Sequence, residues 1–164
     1  MESAGRLTDH DFEALYRTHY PRLVRLARLL GDPRAAEDVA QTAFASLLQS
    51  PGLRNPEAVG GFLRQCVVNK CRTDYRRRAL FQKLLPRLGD EREAVAPDDV
   101  QRLVVREALC RLPRRQQEVL VLRYVADLSV AETAAVLGIA EGNVKATAHK
   151  GLHKLGVRLE AEGF

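Results

Sequence analysis

Asn143, Lys145, Ala146, Thr147, His149, Lys150 and His153 crowd into one short stretch of the chain. They are an amide, ammonium groups, imidazoles and small side chains, with no nucleophile paired to a base among them. Such groups donate to base edges and phosphates, so the chemistry they suit is recognition of DNA. On a helix of 3.6 residues per turn, Asn143, Ala146, His149, Lys150 and His153 share a face, with Lys145 and Lys154 on its flanks. Val144, Ala148, Gly151 and Leu155 recur on the opposite face at steps of four, three and four. A helix with a packed back and a cationic front is what a major-groove reader needs. The alternative is an ordinary amphipathic hairpin with a solvated basic face.

A second set lies at residues 62–78. Gln65, Asn69, Arg72 and Arg76 share one side of a long helix, Phe62 borders it, and Arg77 and Arg78 extend it. From Arg64 to Arg87 there are eight Lys and Arg and a single acid, Asp74. An asparagine, an arginine ladder and a bordering aromatic suit unpaired bases beside phosphates. A solvated charged face would explain the arginines alone.

The elements that must hold these groups are helical. Ser129 and Glu132 form an S-x-x-E capping box that starts a helix, and Val130, Ala134 and Leu137 give it an apolar face. Gly138 stands where a left-handed residue ends a helix, Ile139 is placed to plug the corner, and the reading helix starts near Glu141. Thr8 and Asp11 cap a first helix, whose run contains Pro21 and should be kinked or divided there. Asp32-Pro33 starts a second, with Ala36, Val39, Ala40, Ala43, Phe44, Leu47 and Leu48 as its stripe. Asn55-Pro56 starts a third, expected to end near Arg78, with Val59, Leu63, Cys66, Val67 and Lys70 on its inner side. Residues 89–99, GDEREAVAPDD, are acidic and helix-poor and read as a linker. Val100, Leu103, Val104, Ala108 and Leu112 mark the next helix, and Pro113 opens another. The fold class is therefore all-α, with domains at 8–88 and 100–160 joined by 89–99.

Composition agrees. The 164 residues contain no Trp and 5% aromatics, so Leu, Val and Ala must build the cores. The formal charge of +5 lies wholly in residues 1–90, with 15 Lys and Arg against 10 acids; residues 91–164 hold 11 of each. A basic half points to a polyanion, most often nucleic acid. The start, MESAGRLTDHD, has no apolar leader segment, and no apolar run approaches a membrane span. A soluble cytoplasmic chain without membrane insertion is expected. Cys66, Cys71 and Cys110 are too few and too spread for a disulfide framework or a zinc knuckle, and read as small buried hydrophobes.

Two helical domains, an acidic linker and a C-terminal helix-turn-helix resemble a bacterial RNA polymerase sigma factor of the extracytoplasmic-function (ECF) type. RAAEDVAQTAFASLL (34–48) looks like the family's polymerase-binding helix. GFLRQCVVNKCRTDYRRR (61–78) looks like the helix that melts and reads the −10 element. LPRRQQEVLVLRYVADLSVAETAAVLGIAEGNVK (112–145) is close to the −35-binding domain. The resemblance implies that Glu37, Asp38 and Gln41 meet the β′ clamp helices of core polymerase. It implies that Phe62, Gln65, Asn69, Arg72 and Arg76–Arg78 act at the −10 element of promoter DNA. Asn143, Lys145, Ala146, Thr147, His149, Lys150 and His153 would lie at the −35 element, with their domain docked on the β flap. An anti-sigma protein is a further partner the family implies. Phe62 stands where Trp is usual, Thr42 where Glu commonly follows the clamp-helix Gln, Thr73 where Asp is common, and Thr147 and Ala148 where basic and apolar residues are common.

Three rival readings explain less of the chain. A stand-alone helix-turn-helix regulator explains 112–155 but leaves 34–48 and 59–78 without a role. An enzyme lacks any P-loop, G-x-S-x-G or H-E-x-x-H motif, and no catalytic group or cofactor is expected. His149 and His153 have metal-ligand spacing without an obvious third ligand, so no metal is expected. A pure interaction module, such as a sigma mimic, would not need Asn69 or Lys150.

Overall fold

The computed structural model describes residues 8–50, 56–84 and 100–163, and within them every regular element is helical. Helix α1 spans Asp9–Leu30. Thr8 Oγ1 accepts from the Asp11 amide at 3.2 Å while the Asp11 carboxylate accepts from the Thr8 amide at 3.2 Å. Pro21 neither divides nor ends this helix, against the expectation. Pro21 and Arg17, whose carbonyl loses its partner, both face solvent, and the buried Leu23, Val24, Leu26, Ala27 and Leu30 anchor the following turns.

Asp32 caps a 3-10 turn, Pro33–Ala35, that feeds α2, Ala36–Leu48. The expected stripe is buried from Ala36 to Leu47, but Leu48 is 65% exposed. It follows Leu47 by 100° around the helix, which takes it off the inner face. Helix α3 spans Pro56–Leu84, past the expected end at Arg78. Residues 79–84 contain good helix formers, and no Gly or Pro follows until Pro86. Val59, Leu63, Val67 and Cys71 bury its inner side against α1 and α2. The expected cap Asn55 and the acidic segment 89–99 lie outside the described residues.

The second bundle comprises α4 (Val100–Cys110), α5 (Arg114–Leu120), a π-helical continuation at Val121–Val125, α6 (Val130–Leu137) and α7 (Glu141–Ala161). Val119–Leu122, Leu128, Leu137 and Val144 are its core. After the wide turns, Asp127 takes φ 54°, a conformation aspartate tolerates better than branched residues. Arg123 Nη1 braces this corner by donating to the Leu128 carbonyl at 2.6 Å.

The bundles do not stand apart. α3 runs against α6, and α1 touches α4 and the π-helical stretch, so one apolar cluster passes through both. Among the described residues no helix is long and apolar enough to cross a membrane. Cys71 is buried as expected and Cys66 partly so, but Cys110 is exposed. Burial pushes the Cys71 thiol up to about 11, which keeps it protonated.

The helix-turn-helix corner rests on two local devices that can be removed singly. Gly138 has φ 65°, so Gly138→Ala should lower stability by about 1–2 kcal/mol. Ser129→Ala should remove the α6 cap at about 1 kcal/mol. Urea unfolding followed by far-UV circular dichroism checks both; wild-type midpoints would mean the corner is held by packing alone.

Candidate nucleic-acid interface

The corner that aims α7 is built as its sequence requires. The Glu132 amide donates to Ser129 Oγ at 3.0 Å, and the Ser129 amide donates to the Glu132 carboxylate at 2.7 Å. Gly138 ends α6 in the left-handed region and donates its amide to the Ala134 carbonyl. Ile139 packs partly buried in the corner. No side chain caps α7; the Ala140 carbonyl receives the amides of Asn143 and Val144 at 3.0 and 3.2 Å. Gly151 lets α7 approach α5 closely, because a Cβ there would lie 3.2 Å from the Leu120 side chain.

With Val144, Ala148 and Gly151 buried and Leu155 packed on the core, the opposite face of α7 is open. Asn143, Lys145, Ala146, His149, Lys150 and His153 are all exposed, while Thr147 is half-buried at the edge. Their functional groups are therefore free to meet a polyanion without rearrangement of α7.

Helix α3 has three sides. Its inner side is the bundle core already given. A second side, with Phe62, Gln65, Asn69, Thr73 and Arg76, is open; Gln65, Asn69, Arg76, Arg77 and Arg78 are exposed and Phe62 half-buried. The third side, with Arg64, Val68, Arg72 and Tyr75, faces the second bundle. Val68 is fully buried there. Arg72, grouped by sequence with the open side, lies at the boundary and turns toward the second bundle. Its Nε and Nη2 donate to the two oxygens of Glu118 at 2.8 and 3.0 Å.

Glu118 is the residue that sequence reasoning missed. Its side chain is 2% exposed, and Arg114 and Arg115 of its own helix also donate to it, each at 3.3 Å. Arg114 Nη1 donates to the Leu30 carbonyl, and Gln117 Nε2 donates to the Leu29 carbonyl at 2.7 Å. Arg114 also lies 5.0 Å from the Tyr75 ring centroid. A lone acid in the apolar run QEVLVL was the available signal, but its partner stands 46 residues away.

On α2, Glu37, Asp38 and Gln41 form an exposed stripe beside exposed Thr42, whose hydroxyl donates to the Asp38 carbonyl at 2.8 Å. Behind them Phe44 packs against Phe12 and Tyr16, at 5.8 and 4.9 Å between ring centroids. The stripe is thus acidic, rigidly backed and separate from the two cationic faces.

Comparison with known proteins gives one direction. Residues 15–81 match the family model described as Sigma-70 region 2, and residues 102–155 match Sigma-70, region 4. The RNA polymerase sigma-E factor of Streptomyces antibioticus is 33% identical over 153 residues, covering 92% of this chain and 85% of that protein. The ECF RNA polymerase sigma factor SigM of Mycobacterium tuberculosis is 37% identical over 139 residues, covering 82% and 69%. Among solved structures, CnrH in complex with the cytosolic domain of CnrY aligns with a TM-score of 0.72 and 26% identity, covering 95% of this chain and 92% of that one. The sigma factor RpoE in complex with the anti-sigma factor NepR from Bartonella quintana shares the fold, with a TM-score of 0.75 and 22% identity over 92% of this chain and 97% of that one.

A cavity of about 440 Å³ between the bundles is lined by His19, Arg22, Arg25, Arg64, Asp127 and Glu132 among others. Burial, then the Arg64 and Arg22 charges, holds His19 below its ordinary value. The folded chain therefore resists a proton that the unfolded chain accepts, so this contribution is present above the ordinary histidine value and lost below it. Thermal midpoints should fall between about pH 7.5 and about pH 5.5, and His19→Gln should flatten that fall. Asp11 and Glu132, held low by their bonds to Thr8 and Ser129, add a separate loss only as pH drops through the carboxylate range. An equally steep fall in His19→Gln would assign the effect elsewhere.

Proposed function

This chain belongs to the sigma-70 family of RNA polymerase sigma factors, in its ECF branch, and we propose that it works through three separate exposed faces on its two helical domains. The supporting observation is the division of α2, α3 and α7 into buried apolar sides and open polar ones. Residues 8–88 engage core polymerase and the −10 element, 100–160 read the −35 element, and 89–99 link them. Glu37, Asp38 and Gln41 meet the β′ clamp helices, where an acidic stripe complements a basic surface. The second domain docks on the β flap.

At the −10 element Phe62 offers a wedge beside Gln65 and Asn69, whose amides read an unstacked base edge. Arg72 and Arg76–Arg78 hold the backbone phosphates. At the −35 element Asn143, Lys145, Ala146, Thr147, His149, Lys150 and His153 occupy the major groove. Each face alone is small, so affinity comes from engaging both through core polymerase, which fixes their spacing. The chain contributes no catalytic group; the polymerase forms the phosphodiester bond. It acts in the cytoplasm. An anti-sigma protein, the kind of partner that RpoE has in its complex with NepR, would control access to these faces.

Mixing the purified chain with bacterial core polymerase on a fragmented genomic library, and mapping the starts, tests the reading. Defined starts sharing two boxes at fixed spacing are expected. Sequence-specific DNA binding by the chain alone, without core binding, would make it a stand-alone regulator instead.

Single residues divide the roles. Lys150→Ala should weaken −35 binding and reduce the log–log salt slope by about 1, since one phosphate or base contact is lost. Asp38→Arg should weaken core binding by about tenfold or more by placing like charges together. Wild-type values in a salt titration or a core-binding isotherm would remove the corresponding assignment.

A further inference from the structure

Arg72 is claimed from two directions. Under the reading just given it holds a DNA phosphate, yet in the structure its guanidinium is committed to Glu118 in the other domain. The fork of two parallel bonds that Arg72 makes to this carboxylate is the geometry an arginine makes to a phosphate. Glu118 therefore sits where a phosphate would sit. We propose that the seam between the domains is an autoinhibitory lock, in which Glu118 stands in for a DNA phosphate and hides Arg72 in the free chain. The proposal rests on the assignment of α3 to the −10 element.

Three further observations support it. First, Arg72 is not the only partner of Glu118. Arg114 and Arg115 stay with it on α5, so opening does not orphan a buried carboxylate. Second, two further hydrogen bonds across the seam come from the same helix. Gln117 and Arg114 donate to the Leu29 and Leu30 carbonyls, which end α1 without intrahelical partners. Water can take over both carbonyls when the seam opens. Third, closure is selective. The reading face of α7, the acidic stripe of α2 and the open side of α3 stay exposed in the closed form, while Val68 and most of the Arg72 side chain are covered. The free chain is thus ready for polymerase but has Arg72 withheld from DNA.

The full-length chain provides the test, with small-angle scattering for shape and a labelled single-stranded oligonucleotide of mixed sequence as the DNA probe. A closed chain of 164 residues should have a radius of gyration near about 15 Å. Glu118→Gln should enlarge it and raise oligonucleotide affinity by about three- to tenfold at low salt, the effect of one freed phosphate contact. Adding Arg72→Gln to that variant should abolish the affinity gain while the chain stays open. Native helicity with an unchanged radius, or an open chain without the affinity gain, would overturn the lock. Should Glu118→Gln lose helicity, Gln117→Ala loosens the same seam without touching the carboxylate, and the same pair of outcomes decides. Failure of the underlying reading looks different: wild-type chain with core polymerase would then give no defined starts, whatever the seam does.

Discussion

A single carboxylate, almost completely withdrawn from water, sets the arrangement of this molecule. A buried unpaired charge would be destabilising by several kcal/mol, so Glu118 needs its guanidinium partners close and well oriented. Arg114 and Arg115 meet that need from within α5, and Arg72 completes it from α3. Meeting it fixes the rotation of α5. That rotation sends Gln117 and Arg114 to the end of α1 and turns Leu120 toward Gly151. Helix α7 is then held against α5 so closely that a Cβ at Gly151 would press on the Leu120 side chain. The direction of the reading face thus follows, step by step, from where one acid finds its cations.

Much of this was legible in the sequence because the signals are local. The capping boxes at Thr8 and Ser129, the turn at Gly138 and the buried stripe of α2 each lie within one or two helical turns. Local signals fixed the helices and the sides of α2 and α7 that face out. They failed where packing decides. Pro21 looked like a break, but solvent takes its lost bond and the core holds the following turns. Leu48 continued a pattern that the bundle does not use at the helix end. Cys110 lies on an exposed side of α4 that no periodicity assigned. Arg72 fell with the open side of α3 because its angular position is at a boundary, and only the second domain decides to which side it turns.

The same distinction resolves the charge balance. Residues 91–164 carry equal numbers of acids and bases, which by itself argues against a polyanion partner there. Yet the structure takes several of those acids out of play. Glu118 is buried among arginines, Glu132 closes a capping box, and Glu141 lies in the first turn of α7, where the helix dipole favours it. From Gly142 to Leu159 there is no acid at all. Screening limits the reach of an exposed charge to about 10 Å at ordinary salt. What a phosphate meets at the middle of α7 is therefore Lys145, Lys150 and Lys154, not the average of the domain. Net charge by segment described the chain's composition correctly and the surface of α7 poorly, because the stretch from Gly142 to Leu159 carries cations and no acid while the acids lie elsewhere.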